Sequence, residues 1–266
     1  MNIIVCIKEV PDPQIPPAKF RIDSEAKRIL PPEGIPPVIN PYDAQAVELA
    51  LRLKEKHSGK ITVLTVGSEA STTVVKHALS MGADEGFILA DKSFDGSDSF
   101  SIAYILTKAI QKIGNYDLIL CGRQAADWDE SLTGPLLAEN LNVPLLTLAQ
   151  SVEVSGKEMN VKRGILEGCQ FLQVTLPALV TVSNEIGQPR LPSGWGIISA
   201  ARKKVPVWTA TDISVEPSQI GAGAARRVLV KLLSPKRARM CEIITGETPA
   251  EAGEKLGERL RQTGVI

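Results

Sequence analysis

The sequence predicts an α/β fold in which a doubly wound, mainly parallel sheet carries added antiparallel strands and an extended C-terminal arm. Two observations lead to this prediction. Up to about residue 145, short continuous apolar runs alternate with segments of helical periodicity, which is the pattern of parallel strands joined by right-handed crossovers. Beyond that point short apolar runs are separated by tight turns such as Ser155-Gly156, which favours antiparallel pairing.

The alternating part of the chain contains the parallel strands and their helices. The predicted strands are continuous apolar runs, typical of strands buried on both faces: Ile3 to Ile7, Ile61 to Val66, Phe87 to Ala90 and Leu118 to Cys121. The predicted helices are Pro41 to Lys56 with Asn40 as N-cap, Ser71 to Met81, Ser99 to Ile113 and Thr133 to Leu141. The proline-rich segment 11–41 predicts an extended excursion with a short hairpin around Phe20 to Leu30.

The rest of the chain is less regular. Four further strands are predicted as antiparallel additions to the sheet: Val152 to Val154, Met159 to Lys162, Gln170 to Thr175 and Ala178 to Val182. From about residue 184 we expect irregular structure, until a capped helix covers Thr248 to Gln262.

The composition narrows the classes of function. The 30 basic and 30 acidic residues give a net charge of zero, which argues against a nucleic-acid-binding surface. Cys6, Cys121, Cys169 and Cys241 are isolated, so we predict no metal site and expect small buried hydrophobic side chains. The apolar runs are too short to span a membrane and the N-terminal residues show no leader pattern, so we expect a cytoplasmic protein without membrane insertion.

No set of side chains suggests catalysis. The histidines are His57, at a predicted helix end, and His77, within a predicted helix, and both positions are typical of structural or solvated residues. A Ser-His-Asp or Cys-His arrangement is therefore not expected. We predict no catalytic residues.

The carboxyl ends of the parallel strands predict a ligand site, because ligands of such sheets bind in the crevice beyond those ends. Four loops lie there: the one after Ile7, the one before Asn40, Gly67-Ser68-Glu69, and Gly122 to Gly134. In the last, Ser131-Leu132-Thr133-Gly134-Pro135 opens a helix with hydroxyls, a glycine and unpaired backbone N–H groups, which favours a phosphate. The alternative is an ordinary N-cap beside a solvated acidic loop.

Four motifs spread over most of the chain follow one family pattern. They are Val5-Cys6-Ile7-Lys8 with Val10-Pro11-Asp12; Asn40-Pro41-Tyr42-Asp43 with Ala46-Val47-Glu48; Gly122-Arg123-Gln124-Ala125-Ala126-Asp127; and, within residues 162–190, Lys162-Arg163, Glu167-Gly168, Leu176-Pro177 and Pro189-Arg190. This combination resembles the β subunit of electron-transfer flavoprotein.

The resemblance implies a nucleotide site. In that family the loop corresponding to residues 122–134 holds the phosphate of a buried AMP, the asparagine at position 40 contacts the AMP, and the aromatic residue at position 42 approaches the flavin. The cofactor-binding residues predicted on this basis are Cys6, Asn40, Tyr42, Val66, Gly122, Gln124, Asp127, Ser131, Leu132, Thr133 and Gly134.

The resemblance also implies a heterodimer with an α subunit that holds most of the FAD. Residues 1–190 would form the nucleotide-binding domain, and residues 191–266 a recognition loop and a C-terminal arm that contacts the α subunit. The 4% aromatic content and the lack of a glycine-rich dinucleotide fingerprint agree with a flavin site that this chain does not complete alone. Acyl-CoA-type or other flavin dehydrogenases are the implied electron-transfer partners, and a membrane quinone oxidoreductase is a further candidate.

Residues Gln188 to Lys204 correspond to the loop with which the family docks its partner dehydrogenases. Arg190 and Trp195 are the predicted docking residues. Trp195 stands between Gly194 and Gly196 where the family uses a leucine, and exposed tryptophan is a frequent hot spot of binding. The alternative is a tryptophan packed within a loop.

Two other functions remain open from the sequence. One is a bifurcating electron-transfer flavoprotein, in which a second FAD takes the place of AMP. The other is a stand-alone nucleotide-binding protein of the universal-stress type, which shares the α/β plan but lacks strands like those added after residue 145.

Overall fold

The structure is a computed structural model and describes residues 1–234 and 241–266. It divides into two compact units, Met1–Lys231 and Leu232–Ile266. The first contains the sheet and its helices. In the second, Thr248 caps helix Pro249–Gln262 by accepting a hydrogen bond from the backbone N–H of Glu251, as the sequence predicts. The assignment of residues 1–190 and 191–266 to separate functions stays a prediction.

The described strands are labelled in chain order. Strands β1 to β13 are Asn2–Cys6, Glu9–Val10, Arg21–Asp23, Arg28–Leu30, Val38–Ile39, Lys60–Val66, Glu85–Leu89, Leu118–Gly122, Leu145–Ser155, Glu158–Ile165, Gly168–Thr175, Ala178–Val182 and Val207–Trp208. Helices α1 to α7 are Pro41–His57, Thr72–Met81, Ser99–Ile113, Thr133–Leu141, Gly194–Arg202, Gly221–Ala224 and Pro249–Gln262. None of these helices is long and apolar enough to cross a membrane.

Nine strands form one sheet in the order β11-β10-β9-β12-β8-β1-β6-β7-β13. The central pairs are parallel, and β9, β10 and β11 pair antiparallel with one another. This confirms the predicted mainly parallel sheet with antiparallel additions. The short hairpin predicted around Phe20 to Leu30 is β3 and β4.

The direction of Ala178–Val182 corrects one prediction. This strand, predicted as antiparallel, runs parallel to both β8 and β9. All five of its residues are buried. A continuous apolar run that is buried on both faces is typical of a parallel strand. The apolar run therefore indicated parallel pairing, whereas the neighbouring short turns had favoured antiparallel pairing.

Helices cover both faces of the sheet and create two cores. Helices α1 and α2 bury an apolar stripe against one face, with Val47, Ala50 and Val75 fully buried. Helices α3 and α4 pack against the other face, with Ile105 and Leu137 fully buried. The predicted bounds of α3 and α4 agree with the structure, because Asp98 caps the start of α3 and glycine or asparagine ends each helix.

Helix α5 was not predicted, since its first turn contains two glycines and glycine is a poor helix former. An N-cap and contacts with α2 compensate for this low helix propensity. The Ser193 hydroxyl accepts a hydrogen bond from the backbone N–H of Gly196 at 3.0 Å. A side chain at Gly196 would lie 2.3 Å from the backbone oxygen of Ser80, so glycine permits the close approach. Lys76 of α2 donates to the carbonyls of Ala200 and Ala201 at the C-terminal end of α5.

Candidate functional site

A cavity of about 730 Å³ lies at the carboxyl ends of β1, β6 and β8. This is the place where a doubly wound sheet binds its ligands. Most of the predicted cofactor-binding residues line it: Cys6, Asn40, Val66, Gly122, Gln124, Ser131, Thr133 and Gly134. Tyr42, Asp127 and Leu132 lie outside its lining.

Asn40 occupies the N-cap position of α1, but its side chain does not cap the helix. The side chain is buried and instead joins α1 to the loop after β8. Its Nδ2 donates to the Gln124 carbonyl at 2.8 Å, and its Oδ1 accepts from the Ala126 N–H at 3.1 Å. The expected N-cap contact is therefore replaced by a longer-range one, and Asn40 positions the wall of the cavity.

Asp43 is a central residue of the site that the sequence reasoning missed. Its buried carboxylate accepts hydrogen bonds from the N–H of Lys8 at 2.7 Å and the N–H of Gly122 at 2.9 Å. The loops after β1 and β8 are thus held by one side chain. Burial raises the pKa of Asp43 to about 7, against the hydrogen bonds that lower it. The sequence carried one signal for this role: Asp43 is an acidic residue in the first turn of α1, directly before the apolar stripe of that helix.

Gly122 is required by this packing. A Cβ atom there would lie 2.4 Å from Oδ1 of Asp43 and 2.7 Å from Cβ of Tyr42. Tyr42 itself lies against Arg123, whose guanidinium carbon is 5.3 Å from the tyrosine ring centroid. Two side chains of the Asn-Pro-Tyr-Asp motif, those of Tyr42 and Asp43, therefore contact the end of β8 and the residue that follows it.

The carboxylate of Asp127 is engaged within the protein. It accepts from Lys8 Nζ at 2.6 Å and from the N–H of Trp128 at 3.0 Å. Gln124 donates from Nε2 to Asp129 at 2.7 Å. These contacts fold the loop back on the residues after β1 and give it a defined shape beside the cavity.

The N-terminus of α4 is open towards the cavity. Leu132 occupies the N-cap position, and no side chain caps the helix. Among the described residues, the hydroxyls of Ser131 and Thr133 make no hydrogen bond that caps the helix. The phosphate site stays a prediction. A Cβ atom at Gly134 would lie 2.8 Å from Thr181, which explains the glycine. Free backbone N–H groups and two hydroxyls at a helix start form a suitable anion site.

Cys6 and Cys121 form the floor of the cavity. They are buried neighbours in register on β1 and β8. The hydrogen bond with Cys6, together with burial, holds the pKa of Cys121 well above its ordinary value, so the thiol stays protonated and unreactive. Their predicted role as small buried side chains is confirmed, whereas Cys169 and Cys241 are exposed.

The opposite wall was not predicted from the sequence. Asp98 and Ser99 at the start of α3, together with Arg227, Val228 and Leu229, line the cavity. No local pattern marks these residues as parts of one wall, because about 130 residues of chain separate the two segments that meet there.

The two predicted docking residues lie on the segment that leads into α5. Arg190 binds Glu48 through Nε at 2.7 Å and Glu55 through Nη1. Trp195 is 75% exposed in the first turn of α5, close in sequence to the exposed Leu191, Ile197 and Ile198. The alternative of a tryptophan packed within a loop is therefore wrong.

Comparison with known proteins agrees with this geometry. A profile of the electron transfer flavoprotein domain matches residues 32–213. The chain belongs to the electron transfer flavoprotein family, with the β subunits. It is 40% identical to electron transfer flavoprotein subunit beta of Thermoanaerobacterium thermosaccharolyticum, with 100% of both chains covered.

Two other relatives carry different names. The Caffeyl-CoA reductase-Etf complex subunit CarD of Acetobacterium woodii is 33% identical over 100% of both chains. Protein FixA of Azorhizobium caulinodans is 33% identical over 97% of this chain and 93% of its own. These full-length matches place the chain in an electron-transfer family and decide against a stand-alone protein of the universal-stress type.

The raised pKa of Asp43 predicts a pH-dependent stability. Between the ordinary value of 3.8 and about 7, the folded state keeps a proton that the unfolded chain has lost. The contribution of Asp43 to the free energy of unfolding is therefore full at low pH and is lost as the pH rises to about 7. Asp43→Asn removes this loss, so urea denaturation should show the variant gaining stability relative to the unaltered protein between pH 5 and pH 8.

Asp95→Asn, at an exposed aspartate, serves as the control and should follow the unaltered protein. Parallel pH profiles for Asp43→Asn and the unaltered protein would contradict a proton held at Asp43.

Proposed function

We propose that this chain is the β subunit of a heterodimeric electron-transfer flavoprotein that binds AMP in the cavity beyond β1 and β8. It forms one wall of the site for an FAD held mainly by the α subunit. The open N-terminus of α4, with the hydroxyls of Ser131 and Thr133 at a cavity of about 730 Å³, is the observation that carries this proposal. A volume of this size is in the range of small-molecule and cofactor sites.

The residues present fit a nucleotide phosphate. The N–H groups of Thr133 and Gly134 lie in the first turn of α4, where the helix dipole favours an anion. Lys8 and Arg123 add cationic side chains to the same cavity. AMP has a structural role here, since the described cavity offers no activated nucleophile and the raised pKa of the Cys121 thiol keeps it protonated.

The FAD site is shared in this proposal. Of the described residues that line the cavity, Trp128 alone is aromatic, so this chain offers little surface for stacking a flavin ring. Flavin supplies the electron-transfer chemistry when bound. Tyr42 and Arg123, packed together beside the end of β8, are the residues of this chain that we assign to the flavin wall.

The complex would be cytoplasmic and pass electrons between flavin dehydrogenases, including the acyl-CoA type, and an acceptor such as a membrane quinone oxidoreductase. Helix α5 supplies the docking surface, with Trp195 as anchor. The ion pairs of Arg190 with Glu48 and Glu55 hold the segment that precedes this helix. Arg190 then supports docking by fixing that segment against α1.

Identification of the bound nucleotides tests the proposal. The chain should be co-expressed with its α subunit, and the purified complex denatured and its nucleotides separated by chromatography. We expect one FAD and one AMP per heterodimer. Two FAD and no AMP would favour the bifurcating alternative. Stoichiometric FAD on this chain expressed alone would contradict the shared site.

The α4 N-terminus should control nucleotide affinity. Ser131→Ala combined with Thr133→Val removes two hydroxyl partners of the phosphate and should weaken AMP binding by about 1–3 kcal/mol, while the backbone N–H groups keep residual affinity. Calorimetric titration with AMP measures the change. Ser155→Ala, at the exposed end of β9, is the control. Unchanged affinity in the double variant would show that the phosphate binds elsewhere.

Trp195 should affect partner binding without affecting stability. Because its side chain is 75% exposed, Trp195→Ala should leave the melting temperature and flavin content unchanged. Loss of a hot-spot anchor should cost about 2 kcal/mol or more of affinity for the partner dehydrogenase. Phe20→Ala, an exposed aromatic residue remote in sequence, is the control for both measurements. A lowered melting temperature with unaltered partner affinity would contradict the docking role.

A further inference from the structure

The segment Arg227 to Leu229, called the strap below, forms one wall of the nucleotide cavity although it lies about 100 residues after the cavity loops in sequence. Its residues belong to neither a helix nor a strand. Val228 is 78% exposed and Leu229 37% exposed, so little apolar packing fixes the strap in place. Its position therefore depends on a few polar contacts.

Asp98 makes the first of these contacts. Its Oδ1 caps α3 by accepting from the N–H groups of Phe100 and Ser101 at 3.0 and 3.1 Å. Its Oδ2 accepts from the N–H groups of Arg226 and Arg227 at 2.7 and 3.1 Å. One carboxylate thus fixes both the start of α3 and the start of the strap. Burial raises the pKa of Asp98, but the four N–H groups outweigh burial and lower it, so the carboxylate is charged at neutral pH.

Glu130 makes the second contact. Its Oε1 binds Nη1 of Arg227 at 2.7 Å, and its Oε2 accepts from the hydroxyl of Ser99. Glu130 belongs to the loop between β8 and α4, directly before Ser131. The strap is therefore fastened to both sides of the cavity, to the start of α3 and to the loop proposed to hold the phosphate.

We propose that the strap is a gate of the nucleotide cavity, and that Asp98 and the Arg227–Glu130 pair are positioning residues that hold it shut. This inference rests on the proposed nucleotide-binding function. The ligand class is an adenine mononucleotide, and the gate sets how fast it enters and leaves. Polar fastening suits such a role, because local opening is easiest where few apolar contacts are broken.

A gate has a kinetic signature that a binding contact lacks. When the ligand passes through an open state that is seldom populated, the association and dissociation rates are both proportional to the fraction of open molecules. Weakening the fastening raises both rates by the same factor and leaves the dissociation constant unchanged. Removing a direct contact to the ligand raises the dissociation rate and the dissociation constant together.

Asp98→Asn separates the two tasks of this residue. Asparagine is a good N-cap and keeps an oxygen for Phe100 and Ser101. The amide NH₂ in place of Oδ2 cannot accept from Arg226 and Arg227. Arg227→Ala is the second variant, and it tests the gate even if Asp98→Asn fails to fold, since it leaves the cap of α3 intact. Asp91→Asn is the matched control, because Asp91 likewise caps a turn and accepts from a distant N–H group, that of Ala210, without touching the strap.

The experiment measures both rates with radiolabelled AMP on the full-length chain in complex with its α subunit. Dissociation is followed after addition of excess unlabelled AMP, and association by rapid filtration. Asp98→Asn should raise both rates about tenfold, and Arg227→Ala about threefold, because a hydrogen bond to a charged acceptor is stronger than a half-exposed ion pair. The dissociation constants should stay within about twofold of the unaltered complex. Arg227→Lys should restore most of the unaltered rates.

Three results would overturn the gate. Unchanged rates in both variants would show that the strap does not limit ligand passage. If Arg227→Ala raised only the dissociation rate, and so raised the dissociation constant, Arg227 would be assigned to direct contact with the phosphate. Failure of the unaltered complex to bind AMP would overturn the proposed nucleotide function, and the gate with it. The first two results leave the nucleotide function standing.

Discussion

The buried carboxylate of Asp43 holds together the part of the structure on which every proposed function depends. Parallel strands bring the ends of β1 and β8 side by side, but the loops that follow them need partners for their free backbone N–H groups. Asp43 supplies these partners by accepting from Lys8 and Gly122. The charged form is costly at this depth, and burial accordingly raises its pKa to about 7. Burying Asp43 thus fixes the shape of the cavity but lowers the free energy of unfolding at neutral pH.

Other features of the site follow from this contact. Gly122 must lack a side chain because Asp43 and Tyr42 occupy the space that a Cβ would need. Asn40, one turn earlier, turns away from the helix start and binds the loop after β8. With that loop fixed at its origin, Lys8 and Asp127 fold it back, and the N-terminus of α4 is left open to the cavity. An uncapped helix end beside a rigid loop is an arrangement suited to an anion.

Local patterns predicted much of the fold and part of the site. Apolar periodicity predicted the bounds of α3, and the hydroxyl groups at a predicted helix start singled out Ser131 and Thr133. Contacts between distant segments were not predictable in this way. Asp98 is recognisable from its sequence as a cap, but its second pair of hydrogen bonds joins residues about 130 positions away. Helix α5 was missed because packing on α2 overrides the low helix propensity of Gly194 and Gly196.

Helix α1 connects the two surfaces that the proposed function requires. Its first turn carries Asn40 and Asp43 at the cavity, and its middle carries the buried Glu48, which binds Arg190 and Arg52. Arg52 also donates to the carbonyl of Ile186 at 2.9 Å, so the segment that leads to α5 is fixed to the same helix. One rigid element therefore sets the cavity wall and the base of the exposed tryptophan helix. In the proposed function, the contribution of this chain to electron transfer is therefore geometric: it orders the two surfaces that are proposed to hold a flavin and a partner.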